Sequence, residues 1–302
     1  MGKRKKSSAN QQLLQQEHIR KLVIVAMFSD DELMERLVLK GGSALDLVHH
    51  VGGRGSVDVD FSMEKDFTSA ELAAFRDRIE KSLRRTFQEE GYEVFDLKMQ
   101  SQPEHLTPDL ADFWGGYSIE FKLIETEKFA RLSGSIEDLR RNALLLGQGS
   151  KFLIDISKFE YITGKEPLNL DGYRIFVYTA PMIVCEKLRA ICQQMPEYGP
   201  IVKRHRAGSA RARDFFDIYK IVTDRGIDIS TGANRELLRN IFNAKHVPLS
   251  FLNLLAKYRE FHRVSFPAVV AAVKPGISLE SFDFYFDFVL AEVANLKPLR
   301  DE

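Results

Sequence analysis

The sequence predicts an α+β fold, with strands and helices mixed in the N-terminal half and a mainly helical C-terminal half. Three observations predict it. Short alternating runs such as "SVDVDFS" and "KFLIDIS" read as strands. Leu72, Phe75, Ile79, Leu83 and Phe87 recur at helical spacing and mark Ser69 to Glu90 as an amphipathic helix. After Pro181 helical patterns dominate. The chain of 302 residues allows one large domain or two small ones. We divide it into a basic flexible tail (1–10), an α/β core domain (11–170) and a mainly helical domain (171–302). The break is expected in "TGKEPLNLDG", which is rich in Gly, Pro and Asn.

Taken in order, Gln11 to Phe28 reads as a helix, Arg36 to Lys40 as a strand and Ala44 to His50 as a helix. Ser56 to Ser62 alternates and reads as a strand. Further strands are expected at Tyr92 to Gln100, Tyr117 to Ile124, Lys151 to Ser157 and Tyr173 to Thr179, with a short helix near Ile136 to Leu146. Helices are expected at Met182 to Met195, Ser209 to Asp224, Arg235 to Phe242 and Leu249 to Phe261. "SFDFYFDFVLAEV" fits both periods and is assigned to helix.

Net charge is zero, so no global basic field advertises nucleic acid and any such partner must be held by a local patch. The N-terminus, "MGKRKKSSANQQ", lacks the apolar core of a secretory signal. No apolar run approaches a membrane span, which needs about 18 residues. Cys185 and Cys192 are seven apart in an expected helix, roughly 10 Å at the helical rise, too far for a disulfide. They read as buried thiols of a reducing cytoplasm.

The unit that carries chemistry is "LVLKGGSALDLVHHVGGRGSVDVDFSM", Leu37 to Met63. A strand ending at Lys40 and followed by Gly41-Gly42-Ser43 and a helix lets backbone N–H groups approach an anion, and Ser43 can cap the helix or bind a phosphate oxygen. Taken alone, Gly-Gly-Ser reads rather as an ordinary strand–turn–helix corner. Asp58 and Asp60 are two apart, so on a strand they aim to one face. Two carboxylates this close repel unless a cation lies between them, and a hard divalent ion such as Mg²⁺ suits oxygen ligands. In "KFLIDIS", Asp155 points away from the face of Phe152, Ile154 and Ile156 and supplies a third carboxylate.

The order of these blocks resembles the DNA polymerase β-like nucleotidyltransferase superfamily. The finer match, "LKGGSAL", "DVDFS", "IDIS", "EKLRA" and "RARDFFDIYKI", resembles the AbiEii/AbiGii and MenT nucleotidyltransferase toxins over roughly Leu37 to Val222. The resemblance implies a nucleotidyltransferase-like mixed sheet with flanking helices. It also implies transfer of a nucleoside monophosphate from an NTP, with Mg²⁺ or Mn²⁺ held by Asp58, Asp60 and Asp155. Gly42 and Ser43 then contact phosphate. The implied acceptor is RNA, a tRNA 3′ end, and the implied partner is an antitoxin in a toxin–antitoxin or phage-defence setting. A protein or small-molecule acceptor, or a non-catalytic nucleotide-binding module, stays open beside it.

Lys187 interrupts the apolar stripe of Ile183 and Ile191. By its residues it is a snorkelling lysine or a ligand group; the resemblance favours a lysine on the triphosphate. Glu186 reads as a solvated or helix-pairing charge. Lys203, Arg204, His205, Arg206, Arg211 and Arg213 form a dense basic run, the expected tRNA contact. Arg213, Asp214 and Asp217 match the family's Arg-Asp-x-x-Asp block, with Asp214 the stronger functional candidate. Trp114 in "DFWGGY" reads as core or loop packing rather than a base-stacking platform. Ser56, two before Asp58, is either an idle small residue or a phosphorylation switch whose added charge would repel the triphosphate.

Overall fold

The computed structural model describes residues 2–51, 58–145, 149–274 and 276–296, with side chains from Leu14 onward. Ser56 lies outside the described residues. The N-terminal helix α1 runs Gly2–Phe28, longer than its apolar pattern predicts, and buries Ile19, Val23, Ala26 and Met27. There follow α2 (Asp31–Arg36), β1 (Val38–Lys40), α3 (Gly41–Ser43), a π-helical turn (Ala44–Val48) and β2 (Val59–Ser62). Next come α4 (Ser69–Glu89), β3 (Tyr92–Gln102), β4 (Gly116–Glu125), α5 (Thr126–Leu132), α6 (Ile136–Arg141), β5 (Phe152–Ser157), β6 (Glu166–Leu170) and β7 (Tyr173–Val177). The rest is helical: α7 (Ala180–Cys192), α8 (Ala212–Arg225), α9 (Gly232–Asn243), a 3₁₀ segment (Leu249–Tyr258), α10 (Arg259–Arg263), α11 (Phe266–Ala272) and α12 (Phe282–Ala294).

Local signals explain the better-placed ends. Thr68 and Glu71 form a reciprocal capping box that starts α4. Thr179 caps α7 through the Met182 N–H, with Pro181 in the first turn. Gly226, left-handed, stops α8. The ambiguous aromatic run is helical as expected, capped by Ser281.

The strands form one seven-stranded mixed sheet in the order β3-β4-β5-β2-β1-β7-β6. The β2–β5 and β1–β7 pairs are parallel; the other pairs are antiparallel. The segment "TGKEPLNLDG", expected to be a break, carries β6, the edge strand. The sheet also runs past residue 170, because β7 pairs with β1 well inside it. Arg36, expected in a strand, ends α2 instead, because Asp30 caps that helix with its side chain. One continuous cluster of buried side chains runs from Ile19 through the sheet to Leu296. Cys185 and Cys192 are free and buried within it. Among the described residues, no helix is long and apolar enough to cross a membrane.

Candidate active site

Strand register builds the site. Lys40 of β1 stands opposite Asp60 of β2, Asp60 opposite Asp155 of β5, Asp155 opposite Ser118 of β4, and Ser118 opposite Gln100 of β3. Residues opposite one another share a face, so one polar row crosses five strands. Phe61 points the other way and packs on Phe28 of α1, ring centroids 5.9 Å apart. The alternation "VDF" therefore commits one face to the core and the other to the site.

Asp58, expected on the same strand as Asp60, lies in the bend before β2 instead and is exposed. Ser43 fixes that bend: its buried hydroxyl donates to the Asp58 carbonyl oxygen at 2.9 Å. The expected phosphate-binding hydroxyl is thus engaged by backbone. Gly41 has φ +70, and a β-carbon there would overlap Asp60 Oδ2. Gly41 is required both by its left-handed backbone and by the closeness of the carboxylate.

Burial pushes the Asp60 carboxyl up to about 6; Lys40 opposes this, and Glu186, Asp155 and Asp58 add to it. The Asp58 carboxyl is raised by partial burial and by Asp155, against the pull of Arg213. Burial is the larger cause of both shifts, and repulsion among the carboxylates adds to it, a situation that a divalent cation relieves. The donors are hard oxygens, which fit Mg²⁺ or Mn²⁺. Among the described residues, no group of three or more His, Cys, Asp or Glu side chains stands together as a metal site.

The row lies in a cleft of about 740 Å³, roofed by α7 and lined by Lys40, Asp60, Asp155, Glu186, Arg189 and Arg211 among others. That volume falls in the range of small-molecule sites, roughly 300–1,000 Å³. A buried charge network flanks it. Glu160 lies 3.0 Å from Arg189, 3.5 Å from Lys40 and 3.7 Å from Lys245. Burial alone would raise the Glu160 carboxyl, but Arg189, Lys40 and Lys245 outweigh it and hold it at about 2. Burial pulls Lys245 down to about 8. Glu186 pairs with Arg189 at 3.5 Å and Lys40 at 3.9 Å, so it belongs to this network. Arg189 Nε and Nη1 have no hydrogen-bond partner among the described residues.

Lys187 is buried, and its ammonium donates to Asp214 at 3.0 Å and Asp217 at 2.7 Å. Asp214 also accepts from Arg211. Although Asp214 is buried, Arg211, Lys187 and Arg213 drive its carboxyl well below the usual range. The Arg-Asp-x-x-Asp block therefore joins α7 to α8 through ion pairs, with Arg211 at the cleft end. Lys187, expected on the triphosphate, is committed to these carboxylates.

The basic run is divided. Lys203 pairs with Asp109 at 2.6 Å, and Arg204 donates to the Met195 carbonyl. Arg211 lines the cleft. His205, Arg206 and Arg213 are exposed. Trp114, read as packing, also lines the cleft. Sequence reasoning gave no role to Lys40, Glu160, Arg189 or Lys245. Lys40 and Arg189 lie inside the quoted "LKGGSAL" and "EKLRA" blocks, a signal that could have found them.

The chain is a nucleotidyltransferase by its family. The model of the AbiEii nucleotidyl transferase toxin family, type IV toxin–antitoxin system, matches residues 23–288, and the chain belongs to that family. The family assignment implies an antitoxin partner. JHP933 from Helicobacter pylori is similar in structure, with TM-score 0.49, 14% identity, and 96% of this chain and 94% of that chain covered. MenT4, a nucleotidyltransferase toxin from Mycobacterium tuberculosis, gives TM-score 0.45 and 13% identity over 95% of this chain and 84% of that one. No curated protein matches the sequence.

Proposed function

We propose that this toxin transfers a nucleoside monophosphate from an NTP to the 3′ end of a tRNA, releasing pyrophosphate and stopping translation. The observation that carries the reading is the Asp60–Asp155 register pair in a cleft of nucleotide size, with Gly41 close against the Asp60 carboxylate. The acceptor hydroxyl oxygen forms a bond to the α-phosphorus while the bond to the β-phosphate oxygen breaks. Asp58, Asp60 and Asp155 are the residues to hold Mg²⁺ or Mn²⁺, which when bound neutralises charge on the triphosphate. Asp155 takes the proton from the acceptor hydroxyl. Arg211, which lines the cleft with Asp60, faces the phosphates, and the charge of Arg213 reaches Asp58. The Lys187–Asp214 pair holds Arg211 in place. The Gly42 backbone N–H is the phosphate contact on the other side, since Ser43 is engaged.

The test is incubation with each radiolabelled NTP, Mg²⁺ and total tRNA, followed by a denaturing gel. Label moving with tRNA supports the proposal. Label on protein alone, or none under any divalent cation, overturns the tRNA acceptor.

A further inference from the structure

The cleft extends beyond the carboxylates along the polar row toward β3 and β4. There its lining adds an aromatic ring and amides, Trp114, Gln100, Gln102 and Gln193, beside the charges of Glu104 and Lys245. Trp114 is held firmly. Its backbone N–H donates to the Leu110 carbonyl at 2.9 Å. Tyr198 lies 5.8 Å from its ring and the Lys245 ammonium 5.7 Å. The two glycines that follow seat it. Gly115 has φ +105, and a β-carbon on Gly116 would overlap the Ile156 carbonyl oxygen. The backbone can therefore press against β5 and present the indole, partly exposed, at the cleft wall.

We infer that Trp114 is a stacking surface for a nucleobase in this cleft, with Gln100, Gln102 and Gln193 positioned to read the base edge. The inference rests on the nucleotidyl-transfer reading and adds the base-recognition end to its phosphate end. Two strand steps separate Asp155 from Gln100, about 10 Å at the usual strand spacing. A ribose bridges such a gap between a reacting phosphate and its base. An indole face stacks on any base, and a primary amide offers both donors and an acceptor to a base edge. Gln193 has one weak internal commitment, its amide to the Tyr198 hydroxyl at 3.4 Å. The base can belong to the incoming NTP or to the acceptor's terminal nucleotide, since the chemistry is shared.

Trp114 is the only tryptophan in the chain, so its fluorescence reports on this wall alone. The experiment titrates the intact protein with each NTP, with inorganic tripolyphosphate, and with a short RNA carrying a tRNA-like 3′ end, while binding is followed independently by calorimetry. Quenching by an NTP but not by tripolyphosphate supports stacking of the incoming base. Quenching by the RNA alone supports stacking of the acceptor base. Unchanged emission at saturation with both, or equal quenching by tripolyphosphate, overturns the inference. Transfer measured in parallel separates the two readings: transfer without quenching overturns only this one, and quenching without transfer overturns only the proposed function. Trp114→Leu raises KM for the base-bearing substrate roughly tenfold or more, with a smaller effect on kcat, whereas Trp114→Phe keeps KM within a few-fold. Equal KM in Trp114→Leu and the parent also overturns the inference.

Discussion

Asp60 stands directly opposite Asp155 across the parallel β2–β5 pair, with Lys40 opposite Asp60 on its other side. The two residues form a carboxylate pair across neighbouring strands. Asp60→Asn and Asp155→Asn each remove half of that pair without changing side-chain volume. Each is expected to lower transfer on the order of 100-fold or more, with far-UV circular dichroism unchanged. Parent-like turnover in either variant at matched divalent cation would remove the carboxylate pair from the chemistry.

Gly41 gives a second, steric test of the same corner. Gly41→Ala meets both a left-handed backbone and the Asp60 carboxylate. The backbone alone costs about 1–2 kcal/mol. The variant is expected to melt below the parent and to lose transfer, because relief of the overlap must move Asp60. A melting curve and an activity assay on one preparation check it. An unchanged melting temperature would show that the corner opens freely.

Glu160 makes the buried network sensitive to acid. Its folded pKa, about 2, lies below the ordinary 4.5, so its charge stabilises the fold above pH 4.5. That contribution is lost as pH falls from there toward 2. The gap is worth on the order of 3 kcal/mol. Glu160→Gln should therefore be destabilised by about that much at pH 7 and approach the parent's stability near pH 2. Urea unfolding across that window decides it. A pH-independent difference would mean that the glutamate acts by packing.

Lys187→Met leaves Asp214 and Asp217 buried without their shared cation. Removing one partner of a buried pair costs about 3–5 kcal/mol. If the lysine acts mainly by holding α7 to α8, Lys187→Met/Asp214→Asn recovers part of that stability. Recovery without return of activity is also expected, because Arg211 still lacks its charged anchor. Chemical unfolding of the single and double variants measures the coupling; additive losses would argue against it.

The strands and long helices were legible because burial alternation and capping are local. "VDVDFS" and "FLIDIS" announced two carboxylate-bearing strands, and register then joined Asp60 to Asp155. The strand at Tyr173–Val177 was legible, but its place in the sheet was not, because β7 pairs with β1, over 130 positions away, and no local signal reports such a parallel pairing. The charge network of Lys40, Glu160, Arg189 and Lys245 was not legible for the same reason: each looks like an ordinary surface charge until the fold buries it among the others. The partners of Lys187 were not legible, because a lysine in an apolar stripe says only that it has a partner, not which one.

The last prediction concerns RNA. Of the basic run, Arg206 and Arg213 are exposed, whereas Lys203 pairs with Asp109 and Arg211 with Asp214. A cation already paired at the surface releases fewer counterions when RNA binds. Each phosphate that the protein no longer neutralises should flatten the slope of log affinity against log salt by roughly 0.7–0.9. Arg206→Gln/Arg213→Gln is therefore expected to flatten the slope for tRNA by roughly 1.4–1.8, while Lys203→Gln leaves it nearly unchanged. Filter binding at several salt concentrations separates the outcomes. Equal slopes for the double variant and the parent would place the RNA-binding surface elsewhere. A large effect of Lys203→Gln would mean that its pair with Asp109 opens when RNA docks.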